Sequence, residues 1–210
     1  MRNCSQGTNK VSSKRGRPSR RSEIVKAAET LLNERGLNGM TTRAIADAVP
    51  CSEGAIYVHF KDKLSLILEV LQESLPEMLI PLQKLLKKVG MGDPEQNLID
   101  AVGGLTRFHR RVTPMLCSLI PESELLQRFR KSLGDSGKGP QRGIATLASY
   151  IEQEQRLGRI DSEVNARAAA NVLMATSFFH QFTVLLFGST ERFDAKNLVQ
   201  FALRMSEPDA

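Results

Sequence analysis

Apolar residues recur at helical spacing along almost the whole chain, and this pattern predicts an all-α fold. One face of the first predicted helix is formed by Ile24, Ala27, Ala28, Leu31 and Leu32. Residues three and four positions apart lie on the same side of a helix, so this spacing indicates a helix with one buried face. Gly36 follows at a place where a left-handed cap would end the helix. We find no repeats and no convincing strands in the sequence.

Two short helices follow, and each has the sequence signature of a helix start. Their N-caps are expected at Thr41 and Ser52. Each cap is bracketed by an apolar pair that can staple the start, namely Met40 with Ile45 and Cys51 with Ile56. The residues between the two helices, 48–51, are just enough for a tight turn. Three helices of about 15, 8 and 7 residues with short connections indicate a helix-turn-helix module.

The rest of the chain predicts a second all-α domain. Asp62 is the expected N-cap of a long fourth helix, which Pro76 and Pro81 should kink or break. Further helix starts are expected at Asp93-Pro94 and at Thr113-Pro114. A loop over 134–143 and helices over 141–157, 162–187 and 195–205 complete the pattern.

These elements define three segments. Residues 1–20 lack an apolar period and are expected to form a flexible basic arm. A three-helix helix-turn-helix domain is expected over 21–66, and a helical domain over 67–210.

The charge is distributed unevenly. Seven of the 29 basic residues and none of the 23 acidic ones precede Glu23, so the remainder carries 22 basic against 23 acidic residues. A basic arm on a near-neutral body suits a polyanion, either nucleic acid or an anionic membrane surface. A merely solubilising tail is the alternative.

Cysteine usage and apolar content bear on the compartment. Three cysteines, far apart and odd in number, fit a reducing cytoplasm better than a disulfide framework. The N-terminus lacks the apolar run of an export signal. Residues 168–190 carry no charge, but six polar side chains between 171 and 183 favour a buried helix over a membrane span.

The sequence contains no recognisable pattern of catalytic residues. The three histidines, His59, His109 and His180, lie far apart, and no cysteine pair has metal-ligand spacing. A phosphate-binding glycine loop and a nucleophile turn are also missing. We therefore expect a protein that is not an enzyme and that uses no cofactor and no metal.

Residues 22–68 resemble the N-terminal domain of the TetR family of repressors. Three segments carry the resemblance in order: IVKAAETLLNERG, TTRAIADAV and SEGAIYVHFKDKLSL. The resemblance implies a cytoplasmic DNA-binding transcriptional regulator, a repressor by family habit. It would bind a palindromic operator on double-stranded DNA as a homodimer and be released by a small-molecule effector.

The same resemblance implies a set of DNA contacts. A third helix whose first turn has little bulk can bring its backbone close to base edges in the major groove. Side chains that follow it, and the start of the fourth helix, would reach bases or phosphates. The predicted contacts are Arg43, Ser52, Glu53, Gly54, Ala55, Tyr57, His59, Lys61 and Lys63, with Arg17, Arg20 and Arg21 of the arm reaching an adjacent minor groove or its phosphates.

Three of these residues have a second interpretation that the sequence leaves open. Tyr57 could be a half-buried spacer between helices, and His59 could pack against the first helix. Glu53 could accept a bond from a cytosine amino group or merely favour the N-terminus of its helix.

The turn between the second and third helices departs from the family pattern. The position that is usually Gly is Pro50 here. Proline holds φ near about −65° and cannot supply a left-handed conformation. The turn must therefore close differently.

In the family, the C-terminal domain binds a small molecule and pairs two subunits through its last two long helices. Here the helix over 162–187 is apolar nearly all round, and the helix over 195–205 adds an apolar seam, so both suit a dimer interface. A lipophilic effector could be held by some of Phe108, His109, Met115, Met174, Phe178 and Phe182, although ordinary core packing is the stronger interpretation of each residue taken alone.

Two rival functions use the same basic arm. One is a membrane-surface helical protein, which also uses the uncharged segment, although we expect no membrane partner. The other is an architectural DNA-binding protein without an effector. It would differ in lacking a cavity.

Overall fold

The computed structural model describes residues 19–136, 140–189 and 191–204, and within them the chain is all-α. The helices are α1 Arg20–Gly39, α2 Thr42–Ala48, α3 Glu53–His59, α4 Lys63–Lys87, α5 Pro94–Leu119, α6 Ser123–Ser136, α7 Gln141–Arg156, α8 Ala166–Phe187 and α9 Ala195–Ala202. The predicted architecture of an N-terminal helix-turn-helix domain and a helical C-terminal domain is confirmed. The predicted arm, including Arg17, lies outside the described residues except at its end.

The start of each N-terminal helix is fixed by the predicted cap. The side chains of Thr41, Ser52 and Asp62 accept hydrogen bonds from backbone N–H groups three residues later, at 3.1, 3.3 and 2.8 Å. These bonds satisfy donors that the first turn of a helix leaves free. Gly36 interrupts α1 with a φ of 64°, but its ψ of −171° is not that of the predicted left-handed cap, and the helix resumes as far as Gly39.

The turn before α3 closes without a left-handed residue. The backbone N–H of Val49 donates to Ile45 at 2.9 Å, and that of Cys51 donates to Ala46 at 3.5 Å. Every positive φ among the described residues belongs to a glycine, and none of those glycines lies in this turn. The fixed φ of Pro50 is therefore accommodated by an extended C-cap at Val49.

The long helix α4 runs through both of its prolines, so a break at Pro76 or Pro81 is not found. Proline leaves the carbonyl four residues earlier without its helical donor. At Pro81 that carbonyl belongs to Glu77, and Gly104 of α5 packs against both. A Cβ at Gly104 would lie 2.4 Å from the Pro81 ring and 3.0 Å from the Glu77 oxygen. The missing side chain at Gly104 therefore permits the close approach of α4 and α5.

Two predicted boundaries in the C-terminal domain are wrong. Thr113-Pro114 lies inside α5 and does not begin a helix, because the Thr113 hydroxyl bonds back to the His109 carbonyl at 2.7 Å and the buried helix continues. The next helix begins at Ser123 instead. The helix expected from 162 begins at Ala166, where Asn165 caps it at 2.8 Å.

Helix α5 is the centre of the C-terminal domain, because it packs against α1, α4, α8 and α9. Its buried side includes Leu98, Val102, Leu105, Val112 and Met115. One helix thus touches the N-terminal module and both of the last two helices.

Candidate nucleic-acid interface and ligand cavity

Helix α3 divides sharply into a buried and an exposed side. Ile56 and Phe60 are 2% and 3% exposed, whereas Tyr57 and Val58 are 59% and 81% exposed. His59 is also exposed. The alternative interpretations, Tyr57 as a half-buried spacer and His59 as a packing residue, are thus disfavoured by their exposure. Val58 was not predicted from the sequence as part of this exposed side. Its position midway between the buried Ile56 and Phe60, on the opposite side of the helix, could have indicated its exposure.

The first turn of α3 is small and open. A Cβ placed on Gly54 would meet only the Ser52 hydroxyl, at 3.9 Å. Ser52 and Gly54 are exposed, and Ala55 is half-buried. A surface of this shape lets another molecule come close to the backbone of α3.

Glu53 has a role that neither sequence interpretation included. Its carboxylate accepts a hydrogen bond from the Thr42 hydroxyl of α2. This bond links the first turns of α2 and α3. It therefore helps to hold the angle between the two helices.

The basic residues at this surface fall into two groups. Arg43 and Lys61 are exposed to solvent. Lys63 is exposed too, but its ammonium donates to the carbonyl of Leu37, and the partial burial of that group lowers the pKa of Lys63. That bond ties α4 to the end of α1, so Lys63 fits a positioning role better than the phosphate contact predicted for it.

The two arginines at the start of α1 are paired within the module. Arg20 bonds Glu23 at 3.0 Å. Arg21 forms an ion pair with Glu69 of α4, and its guanidinium lies 4.9 Å from the centre of the Phe60 ring. The bond with Glu69 raises the pKa of Arg21. Any DNA contact by Arg21 has to compete with this pair.

A cavity of about 470 Å³ lies in the C-terminal domain between α4, α5, α6, α7 and α8. Four of the six residues proposed from the sequence line it, namely Phe108, His109, Met174 and Phe178. Met115 is fully buried in the core, and Phe182 stacks on Phe178 with ring centres 6.4 Å apart. The other lining residues are Leu71, Leu75, Met78, Val112, Leu116, Phe129, Leu133, Pro140, Ile144, Asn171 and Ala175.

One buried polar pair interrupts the apolar wall of the cavity. The Nδ1 atom of His109 on α5 lies 2.8 Å from the hydroxyl of Ser177 on α8. Burial lowers the pKa of His109 to about 4, because the charged imidazole loses its hydration there. Ser177 was missed from the sequence, since nothing local marks it as the partner of a histidine 68 positions earlier.

Arg111, which is close to this cavity wall on α5, connects the two domains. Its guanidinium donates to both carboxylate oxygens of Glu29 on α1, at 2.7 and 2.8 Å, and to Glu77 on α4, at 2.9 Å. These bonds raise the pKa of Arg111. A bidentate ion pair of this kind fixes the relative orientation of the two side chains as well as their distance.

The last two helices leave large apolar side chains in solvent. Phe187 is 78% exposed, and other exposed members are Phe179, Leu185, Leu186 and Phe201. Single exposed apolar residues are ordinary, but a group of this size on neighbouring helices marks an interaction surface.

Two further features concern membranes and metals. Within the described ranges one helix, α8, is long and apolar enough to cross a membrane, and it packs against α5 and α7. The same part of the chain holds no group of three His, Cys, Asp or Glu side chains that could bind a metal ion.

The module and the cavity together define a class of protein. An exposed helix-turn-helix surface joined to a helical domain is the arrangement of a DNA-binding regulator. Comparisons with known proteins identify the family within this class.

Residues 24–70 match the profile of the family described as "Bacterial regulatory proteins, tetR family". The HTH-type transcriptional repressor BepR of Brucella suis biovar 1 (strain 1330) is 25% identical over 168 residues, which are 74% of this chain and 75% of that protein. The HTH-type transcriptional repressor KstR2 of Rhodococcus jostii (strain RHA1) is 41% identical over 63 residues, 30% of this chain. That second match spans only 31% of the KstR2 protein.

Solved structures show the same fold along nearly the whole chain. The fatty acid degradation regulator FadR from Bacillus halodurans superposes with a TM-score of 0.61 and 18% identity, over 90% of this chain and 95% of that one. The TetR family transcriptional regulator PfmR from Thermus thermophilus gives a TM-score of 0.60 and 17% identity, over 88% and 99%.

The N-terminal domain of this chain is therefore a TetR-family DNA-binding domain, and the relatives that match it are transcriptional repressors. The prediction that it is not an enzyme is confirmed by its relatives, which are regulators.

Proposed function

We propose that the chain is a cytoplasmic homodimeric repressor that binds a palindromic operator and releases it when a lipophilic effector enters the cavity. The observation that carries the proposal is the exposed face of α3, where small, aromatic and basic groups surround an open first turn. The domains would be the basic arm over 1–20, the DNA-binding domain over 21–66 and the effector and dimerisation domain over 67–210.

The exposed side of α3 supports binding in the major groove. Gly54 and Ala55 would allow the backbone to approach base edges, and Ser52 lies beside them. Tyr57 and His59 would contact bases or phosphates. Val58 adds an apolar group of the kind that contacts a thymine methyl.

Other groups would set the position on the phosphate backbone. Arg43 and Lys61 are exposed beside α3 and suit phosphate contacts. Arg17 and Arg20 of the arm would reach the neighbouring minor groove. Glu53, Lys63 and Arg21 would act by holding the helices in place, through their bonds to Thr42, Leu37 and Glu69.

The exposed apolar side chains of α8 and α9 support dimerisation. A second copy packing its own α8 and α9 on this surface would cover Phe179, Leu186, Phe187 and Phe201 at once. A two-fold dimer uses the same surface on both subunits. It would also place two copies of α3 for half-sites about one helical turn apart.

The cavity favours a ligand-responsive repressor over the architectural alternative, which has no use for it. Its volume of about 470 Å³ lies in the range that is usual for small-molecule sites. An effector would release DNA only if it bound better to the dimer shape that does not fit the operator.

Selection of duplexes from a random pool by the purified full chain tests the proposal. We expect enrichment of a two-fold palindrome with half-sites about 10 base pairs apart, and a dimer in sedimentation at the same concentration. Binding without an enriched sequence would contradict the proposal that the chain recognises a specific operator. It would leave an architectural or membrane-surface role for the basic arm.

A further inference from the structure

The cavity wall provides no charge to a ligand. Among the described residues that line it, none is Lys, Arg, Asp or Glu, and the polar members are His109 and Asn171. Asn171 is exposed to solvent, whereas His109 is 6% exposed. His109 is therefore the polar group that a fully enclosed ligand would meet.

The two polar neighbours of Ser177 favour one position for the proton of His109. The Ser177 hydroxyl lies 2.9 Å from the Met174 carbonyl and 2.8 Å from His109 Nδ1. A carbonyl oxygen cannot donate, so the one proton of the hydroxyl is directed to Met174. In the arrangement that keeps both hydrogen bonds, Ser177 accepts from His109, and the proton of the imidazole is on Nδ1.

The other ring nitrogen is consequently a hydrogen-bond acceptor. A neutral imidazole with its proton on Nδ1 has a lone pair on Nε2. Burial keeps the ring neutral at pH 7, with a pKa of about 4. Within the part of the chain that the structure describes, the ring of His109 forms its hydrogen bond through Nδ1 alone, so Nε2 is left for a ligand.

We propose that the cavity selects neutral lipophilic alcohols, whose hydroxyl donates a hydrogen bond to His109 Nε2 while the hydrocarbon part fills the apolar wall. This inference rests on the proposed function and specifies the chemistry of its effector. It also orders ligands of equal length, because each end group interacts differently with Nε2.

The order follows from the acceptor and from the missing charge. A methyl ether of the same chain has no donor, so Nε2 would be covered and left without a partner. A carboxylate would bring two acceptors and a negative charge into a wall whose described residues include no cation. Its charged form should bind the least well of the three.

Displacement of the neutral dye Nile red from the full chain at pH 7.5, without DNA, measures this order. The probes are 1-decanol, decyl methyl ether and decanoate. We expect the alcohol to bind about fivefold to tenfold more tightly than the ether, and decanoate to bind the most weakly. An ether equal to the alcohol, or decanoate as the best ligand, would overturn the inference.

A variant assigns the preference to the histidine. His109→Phe keeps an aromatic ring in the wall but removes Nε2, so the preference for alcohol over ether should fall to within about twofold. His180→Phe is the matched control, because His180 lies on α8 outside this cavity, and it should keep the full preference. A full preference in folded His109→Phe would overturn the inference, and the wild-type comparison decides the matter if that variant does not fold.

The outcomes separate this inference from the proposed function. Equal displacement by all three probes would contradict the alcohol preference and leave a lipophilic effector intact. If none of the three probes displaces the dye, both the alcohol preference and the lipophilic effector are contradicted. Operator selection, which needs no ligand, would still stand in either case.

Discussion

The nucleic-acid surface and the cavity are built in opposite ways. The surface is formed by a nearly continuous stretch from Thr41 to Lys61, where local caps fix two short helices and leave their polar side in solvent. The cavity collects residues from Leu71 to Phe178 on five helices, and its wall is apolar. A local surface can be changed without touching a distant enclosed one, so the two functions should be separable by single substitutions.

The largest effect is expected on the nucleic-acid surface, from Gly54→Leu. The position has open space around it in the free protein, so the module should fold and gain up to about 1 kcal/mol from better helix propensity. The added side chain would hold α3 away from the groove. We expect operator affinity to fall at least about 100-fold in a gel-shift titration, since several base contacts would be lost together.

Two measurements give this prediction its controls. Gly54→Ala adds one methyl group and should weaken binding far less than Gly54→Leu. Displacement of Nile red from the cavity should be the same in both variants and in the wild type. Tight operator binding by Gly54→Leu would contradict the placement of α3 in the groove.

A smaller effect is expected from filling the cavity with Ile144→Trp. Ile144 is half-buried in α7 and lines the cavity, so an indole at this position would occupy part of its volume of about 470 Å³. We expect dye and decanol affinity to fall roughly tenfold to 100-fold, the range for a ligand that loses much of its apolar contact area. Operator affinity should stay within about twofold, while release by ligand is lost.

Ala145→Trp is the matched control, because Ala145 is the next residue of α7 and is exposed. It adds the same side chain outside the cavity and should bind the dye like the wild type. Equal losses in the two variants would show that the helix, rather than the cavity, had been damaged.

The two regions also differed in how far the sequence predicted them. The caps at Thr41, Ser52 and Asp62 were predicted correctly, because each depends on residues only three positions apart. The positive φ at Gly36 followed from the same local reasoning. Local spacing was enough for most of the nucleic-acid surface.

Errors arose where distant contacts override local signals. Thr113-Pro114 has the sequence of a helix start, yet burial of α5 against five other helices carries the helix through it. The DNA contacts predicted for Lys63 and Arg21 remain predictions, but their partners within the protein, Leu37 and Glu69, were not foreseen because they lie 26 and 48 positions away. The pairing of His109 with Ser177 was missed for the same reason, because the two residues are 68 positions apart.

Arg111 is the point at which the two regions meet. It bonds Glu29 in the DNA-binding module and Glu77 on α4, and its neighbours Phe108, His109 and Val112 line the cavity. A shift of α5 on ligand binding would therefore act directly on α1. Because the Arg111 side chain is 27% exposed, the pair should stabilise the fold only modestly.

The smallest predicted effect is therefore on coupling, from Arg111→Gln. We expect the ratio of operator affinities without and with decanol to fall by roughly threefold to tenfold. Operator binding alone and decanol binding alone should each change by less than about twofold, and the free energy of unfolding by about 1 kcal/mol. The control is Arg110→Gln, which removes a charge from an exposed position one residue earlier and should keep the full ratio. If the Arg111→Gln ratio equals that of the wild type, the signal passes through α4 without this bond, and the two regions are joined by packing alone.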